Sequence, residues 1–288
     1  MILPSACTPA PEAITSGFTA EPQFPNFDPN NFVSSTGIDN EWMPMQPGTK
    51  WVYEGTAVVD GESISRRIEF IVTDLTKVIE GVRAVEAWIV DYNEDEIVEK
   101  ELAFYAQDTD GNVWYLGEYP EEFENGVFVK ASPWIAGLED ARAGIKMWAE
   151  PKLGGLVVYQ GWGPAVEWSD YGQVDQVGKE TCVPVNCYKD VLVMAESSLG
   201  EAGAYQLKYY ARGVGEVRVG WRGADEAKEE LILIEFLRLS PQQMAEVRAQ
   251  ALEVEKHAYE ANDLYKQTSP VEYPEGTPAI TVEIKEIP

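Results

Sequence analysis

A single histidine, His257, serves the whole 288-residue chain, and that scarcity removes most of the familiar catalytic constellations. Zinc sites, Ser-His-Asp triads and Cys-His pairs need an imidazole held in place by neighbouring groups. His257 stands instead among Glu255, Lys256 and Glu260 on a stretch of helical periodicity, the surroundings of a solvated helix residue. Cysteine is scarce too, at three. Cys182 and Cys187, in TCVPVNCY, are spaced for a small-loop disulfide across a turn and not for a CxxC redox or zinc motif. Such a bond implies an oxidising compartment. Basic residues are outnumbered, 22 Lys and Arg against 49 Asp and Glu, for a formal charge of −27. That balance repels nucleic-acid phosphates and anionic lipid, and suits cations, basic partners or a salty extracellular medium. No apolar run approaches the roughly 18 residues of a membrane-spanning helix, so no transmembrane segment is predicted. Walker loops, dinucleotide fingerprints and GxSxG elbows are missing as well; Gly213-Val214-Gly215 alone is a turn signal.

What is present is a globular chain, 45% hydrophobic, long enough for one large all-β domain. Residues 1–40 carry Pro4, Pro9, Pro11, Pro22, Pro25 and Pro29, which forbid a helix or central strand, so the segment reads as an extended arm. Its Phe18, Phe24, Phe27 and Phe32 need covering, by grooves on their own domain or by a neighbouring subunit. Cys7, after small residues in MILPSAC, resembles the acceptor of a bacterial lipoprotein signal, although the basic n-region and a full apolar stretch are missing. A free or intermolecularly paired cysteine in a flexible arm is the alternative.

From Trp42 the pattern changes to a meander. Strands are expected over 51–59, 62–74, 82–92 and 97–107, punctuated by Asp60-Gly61, Glu80-Gly81 and the acidic tip at 93–96. Residues 101–119 then form an aromatic hairpin around Asp108-Thr109-Asp110-Gly111-Asn112. A less regular, glycine-rich stretch covers 120–165, and Trp134, Trp148, Trp162 and Trp168 in or beside it read as a pocket rim or as the plug of one barrel end. Further strands fall at 166–177, 188–197, 205–211, 215–221 and 229–239. Ser240, Pro241 and Gln243 open a long helix with a capping box, and its seam runs from Met244 through Ala251, Val254 and Ala258 to Tyr265. Residues 279–287 suggest an edge strand. The expected fold is mainly β: an antiparallel meander over 41–239, forming a barrel-like or curled sandwich. The C-terminal helix, 240–267, packs on it, and a tail follows over 268–288.

Candidate chemistry is sparse. Asp108, Asp110 and Asn112 alternate as oxygen ligands do in the first half of a calcium loop, which makes calcium the one possible cofactor; the same residues are also the ordinary chemistry of a tight turn. Carboxylate pairs of a hydrolase cannot be picked out, because the separation that matters is spatial. The aromatic strands point to binding. In Trp114-Tyr115 and Tyr209-Tyr210 adjacent side chains must face opposite sides of the sheet. The expected site residues for an apolar or aromatic ligand are Trp51, Tyr53, Tyr105, Trp114, Trp134, Trp148, Trp162 and Tyr209.

The segments PGTKWVYEG (47–55), VTDLTKVIEGV (72–82), FYAQDTDGNVWYLGE (104–118), CYKDVLVMAE (187–196) and KYYARGVGEVR (208–218) together resemble a widespread family of secreted or lipid-anchored bacterial proteins without assigned activity. The resemblance spans about 36–265. It implies export, to the periplasm, cell surface or medium, and an antiparallel β-rich fold, with no catalytic residues to carry over. The Cys182 and Cys187 pair and the long arm depart from that pattern. Three functions stay open: an exported binding protein with a β-barrel pocket, an assembly subunit whose arm contacts like or unlike neighbours, and a carboxylate-dependent hydrolase.

Overall fold

The computed structural model describes residue 18 and residues 20–273; Cys7 and the suggested strand at 279–287 lie outside them. Fourteen strands alternate in direction along one continuous antiparallel sheet. They are β1 Thr49–Val59, β2 Glu62–Ile79, β3 Val82–Asn93, β4 Glu96–Gln107, β5 Val113–Glu124, β6 Val127–Ala131 and β7 Trp134–Ile135, then β8 Arg142–Met147, β9 Val158–Gly163, β10 Trp168–Val183, β11 Asn186–Ser197, β12 Ala204–Ala211, β13 Gly215–Gly223 and β14 Glu230–Arg238. β1 pairs with β14, and β4 with β5, so the sheet closes on itself. β6 and β7 hang from β5, which leaves twelve strands in an up-and-down ring. Closure leaves the ring without free edges, and a barrel of this size encloses space that the wall's own side chains do not fill.

Period-two alternation sorts the apolar residues into two cores, one on each side of the wall. On β3, Val85, Ala87 and Ile89 face inward while Ala84, Trp88 and Val90 face outward. The outer core is covered by helix α1, Pro241–Ala261, whose Ala251, Val254 and Ala258 are buried. Its start matches the expected capping box: Gln243 N donates to Ser240 Oγ at 3.3 Å and Ser240 N donates to Gln243 Oε1 at 2.9 Å, a cap of about 1 kcal/mol. The helix seam also hides charge. Lys77 of β2 and Glu255 are both fully buried and pair at 2.7 Å, and Tyr259 accepts a second Lys77 hydrogen bond at 2.9 Å.

The described part of the arm lies on the outside of its own barrel. Gln23 N donates to Val157 O at 2.9 Å and Tyr159 N donates to Gln23 O at 3.0 Å. Phe24 stacks on Tyr159 at 4.2 Å, while Phe27 and Phe32 stand edge-on to Trp114 at 5.4 and 5.9 Å. Phe27 and Phe32 are thus partly covered within the chain, whereas Phe24 stays 40% exposed.

One sequence expectation needs correction. Residues 120–165 are not mainly irregular: β5 continues to Glu124, and β6 to β9 follow. Several glycines there are strand residues beside bulky rings. A Cβ on Gly161 or Gly163 would come within 2.6 or 2.5 Å of the Trp134 side chain, so glycine marks close approach at these positions instead of a loop.

Candidate functional site

Residues 38–47 cross one end of the ring and plug it. Gln107 Oε1 accepts from Asn40 N at 2.9 Å, Asn40 Nδ2 donates to Gly111 O at 2.8 Å, and Gly213 N donates to Glu41 O at 2.7 Å. Ile38, Trp42 and Met45 fall in the inner core. Behind this plug lies a cavity of about 640 Å³, the volume of a drug-sized ligand site.

The half next to the plug is aromatic. Tyr105 and Tyr115 stack at 4.6 Å with their rings 6° apart, Trp51 meets Phe70 edge-on at 5.6 Å, and Trp168 meets Tyr115 edge-on at 6.1 Å. Trp51 and Tyr53 also mend the wall. β13 and β14 are registered only at Arg218↔Ile232 and Val219↔Leu231. Beyond those pairs Trp51 Nε1 donates to Val214 O at 2.8 Å and Tyr53 Oη donates to Glu216 O at 3.0 Å.

The other half is charged. Its acids outnumber its bases, and a bulge in β5 adds one of them by changing the phase of the strand: the register slips between Phe104 and Tyr105 opposite Gly117. Tyr115 faces in and Leu116 out, but after Gly117, with φ 147°, it is Glu118 that faces in and Tyr119 that faces out. Glu118 therefore joins Glu101 of β4 around Tyr115. The phenolic Oη lies 3.0 Å from Glu101 Oε1 and hydrogen bonds with Glu118 as well.

Burial dominates the titration of these acids. It pushes Glu118 up to about 7 against the opposing Tyr115 hydrogen bond. Burial, reinforced by Asp91 and Glu118, lifts Glu99 to about 8. Glu101 is raised well above the usual carboxylate range by burial and then by Glu118 and Glu99. Asp91 and Asp170 rise to about 6 by burial, opposed by Arg66 and Lys146 respectively. Glu196 differs: burial also acts to raise it, but Lys146 and Lys208 outweigh burial and hold it below its ordinary value. Lys146 donates to Glu196 at 3.0 Å and to Gln160 at 2.8 Å.

Among the sequence-derived binding residues, Trp51, Tyr53 and Tyr105 line the cavity. Trp114 and Tyr209 do not: their neighbours Tyr115 and Tyr210 face the lumen, and Trp114 packs outside under Phe27 and Phe32. Trp134 sits one layer back, stacked on Trp168 at 4.7 Å. Trp148 lines a separate outer cleft of about 340 Å³ beneath the arm, and Trp162 stands edge-on to Phe24 at 5.8 Å. The inward acids at Glu99, Glu101, Glu118 and Asp170 were missed from sequence. Period two from Tyr115 places Glu118 outward, and only the Gly117 in that strand hints at a bulge.

The 108–112 loop is organised by Asp108. Its Oδ1 accepts from Asp110 N at 3.0 Å and Asn112 N at 2.8 Å; its Oδ2 accepts from Asn112 Nδ2 at 2.9 Å and Trp114 Nε1 at 2.8 Å. No cluster of three or more His, Cys, Asp or Glu placed for a metal occurs among the described residues. Cys182 and Cys187 face each other across the β10–β11 hairpin and form a disulfide. His257 is less solvated than its helix neighbours suggest: its Nδ1 lies 2.6 Å from Glu121 Oε1 of β5.

Fold and lumen define a closed up-and-down barrel with a plugged aromatic end and a charged end. No protein-family model matches the chain, and no curated protein does either. A solved structure, that of a candidate exported protein with a YmcC-like fold from Bacteroides fragilis NCTC 9343, is similar at 11% identity, covering 69% of this chain and 100% of that one. Its TM-score is 0.36, a likeness too weak to carry an argument about this chain. No helix among the described residues is long and apolar enough to cross a membrane.

Proposed function

We propose that this protein is an exported binding protein that holds one small molecule with an aromatic or apolar body in the barrel lumen. The carrying observation is the 640 Å³ cavity walled at its plugged end by Trp51, Tyr53, Phe70 and the stacked Tyr105 and Tyr115. Export is supported by the Cys182–Cys187 disulfide, which persists in oxidising compartments, and by the family resemblance of its strand motifs.

Native mass spectrometry of the protein purified from its source tests the reading. A retained molecule of small mass, lost when Ile89 at the lumen wall is replaced by Trp to fill the cavity, is the expected result. A bare chain that also takes up none of a panel of aromatic probes sinks it.

A further inference from the structure

Taking the lumen as the ligand site, we infer that its ligand carries a basic nitrogen, a protonated amine or amidine, seated against Glu101, Tyr115 and Glu118 beside the tyrosine stack, and that binding expels a proton.

Charge matching carries the inference first. The cavity wall holds eight acidic side chains and four basic ones. All four bases are engaged: Arg66 with Asp91 at 2.5 Å and Glu229 at 2.6 Å, Lys130 with Glu122 at 3.1 Å, Lys146 with Glu196 at 3.0 Å, and Lys208 with Glu216 at 3.8 Å. Glu99, Glu101, Glu118 and Asp170 are left without a base. Glu99 and Asp170 make no side-chain hydrogen bond or ion pair among the described residues. An enclosed excess of carboxylates is unfavourable until a proton or a cation neutralises it.

The geometry at Tyr115 fits a carboxyl proton in this role. One phenolic oxygen is within hydrogen-bonding reach of two carboxyl groups. A phenol has one proton to donate, so the second contact requires a protonated carboxyl that donates to the phenolic oxygen. The groups facing this pair from the surrounding strands are Glu99 and Tyr105 of β4, Asp91 of β3, Asp170 of β10 and Lys146 of β8. Lys146 is already held by Glu196, so an incoming cation is the group that can replace the proton.

Two further observations select an organic cation. No three-carboxylate arrangement suited to a metal ion occurs among the described residues. The carboxyl groups also adjoin the tyrosine stack, whose apolar area takes the body of an organic molecule.

The test is isothermal titration of the full chain with 2-naphthylmethylamine, 2-naphthylmethanol and 2-naphthoate at pH 7, in two buffers of different ionisation enthalpy. The amine is expected to bind at least about tenfold more tightly than the alcohol, with the carboxylate weakest and proton release seen for the amine alone. The Glu101→Gln, Glu118→Gln double variant should lose both the preference and the proton release. Glu99→Gln, which removes a carboxylate with no partner, should reduce the preference without depending on the Tyr115 contacts. Equal binding of amine and alcohol, or tighter binding of the carboxylate, overturns the basic-nitrogen inference and leaves the lumen reading standing. Failure of all three probes to bind overturns both.

Discussion

Tyr115 and Glu118 are three residues apart on one strand, yet both turn into the barrel and hydrogen bond to each other. The bulge at Gly117 makes this possible. A Cβ there would lie 2.6 Å from Trp134 O and 2.9 Å from Ile135 Cα, on a backbone with φ 147°. Gly117→Ala is expected to cost about 2–3 kcal/mol. Urea denaturation checks the loss; an unchanged midpoint would show that β5 tolerates a side chain at the bulge.

The lumen acids make stability depend on pH. In the folded chain Glu99 and Glu118 hold their protons up to about pH 8 and 7, whereas their ordinary value is 4.5. The folded state therefore binds more protons than the unfolded state between those limits, and stability falls as pH rises through them. Thermal melts of ligand-free protein should shift downward from pH 5 to pH 8, and Glu99→Gln should flatten the shift. A midpoint that climbs over this interval would contradict it.

Beneath helix α1, Lys77 and Glu255 form a fully buried pair. Lys77→Met strands the Glu255 carboxylate and should destabilise by about 3–5 kcal/mol, while adding Glu255→Leu should recover most of that loss. A double-mutant cycle in guanidinium measures it, and strict additivity of the two changes would refute the coupling.

Glu86 lies nearby on β3 with 0% exposure, and neither carboxyl oxygen has a hydrogen-bond partner. Burial raises its pKa well above the usual value, reinforced by Glu255 and opposed by Lys77. Glu86→Leu should stabilise the protein by about 1–2 kcal/mol. The gain should be larger at pH 8 than at pH 5, because holding the wild-type proton costs more at high pH. Denaturation midpoints at the two pH values decide this.

Much of the fold was legible because its signals are local. Alternation marked the strands from β1 to β4 and from β10 to β14, Asp60-Gly61 and Glu80-Gly81 marked hairpins, and Ser240 with Gln243 marked the helix start. The strand character within 120–165 is hidden because Gly144, Gly161 and Gly163 answer to close approach by Tyr159 and Gln160 backbone or by the Trp134 ring, contacts that lie well away from them in sequence. Which member of each aromatic pair faces the lumen is hidden for the same kind of reason. Alternation says that Trp114 and Tyr115 face apart, but which side is the lumen depends on how the sheet closes.

By itself, then, the sequence determined the antiparallel strands, the capped helix, the small-loop cysteine pair and the acidic balance, because each depends on residues within a few positions of one another. Tertiary structure alone decided that β4 meets β5 while β1 meets β14, that residues 23–32 of the arm lie on the outer wall, and that Glu101 and Glu118 share Tyr115. Those outcomes rest on strand closure and on one bulge that shifts side-chain phase, and neither the closing pairs nor the shift leaves a pattern in neighbouring residues.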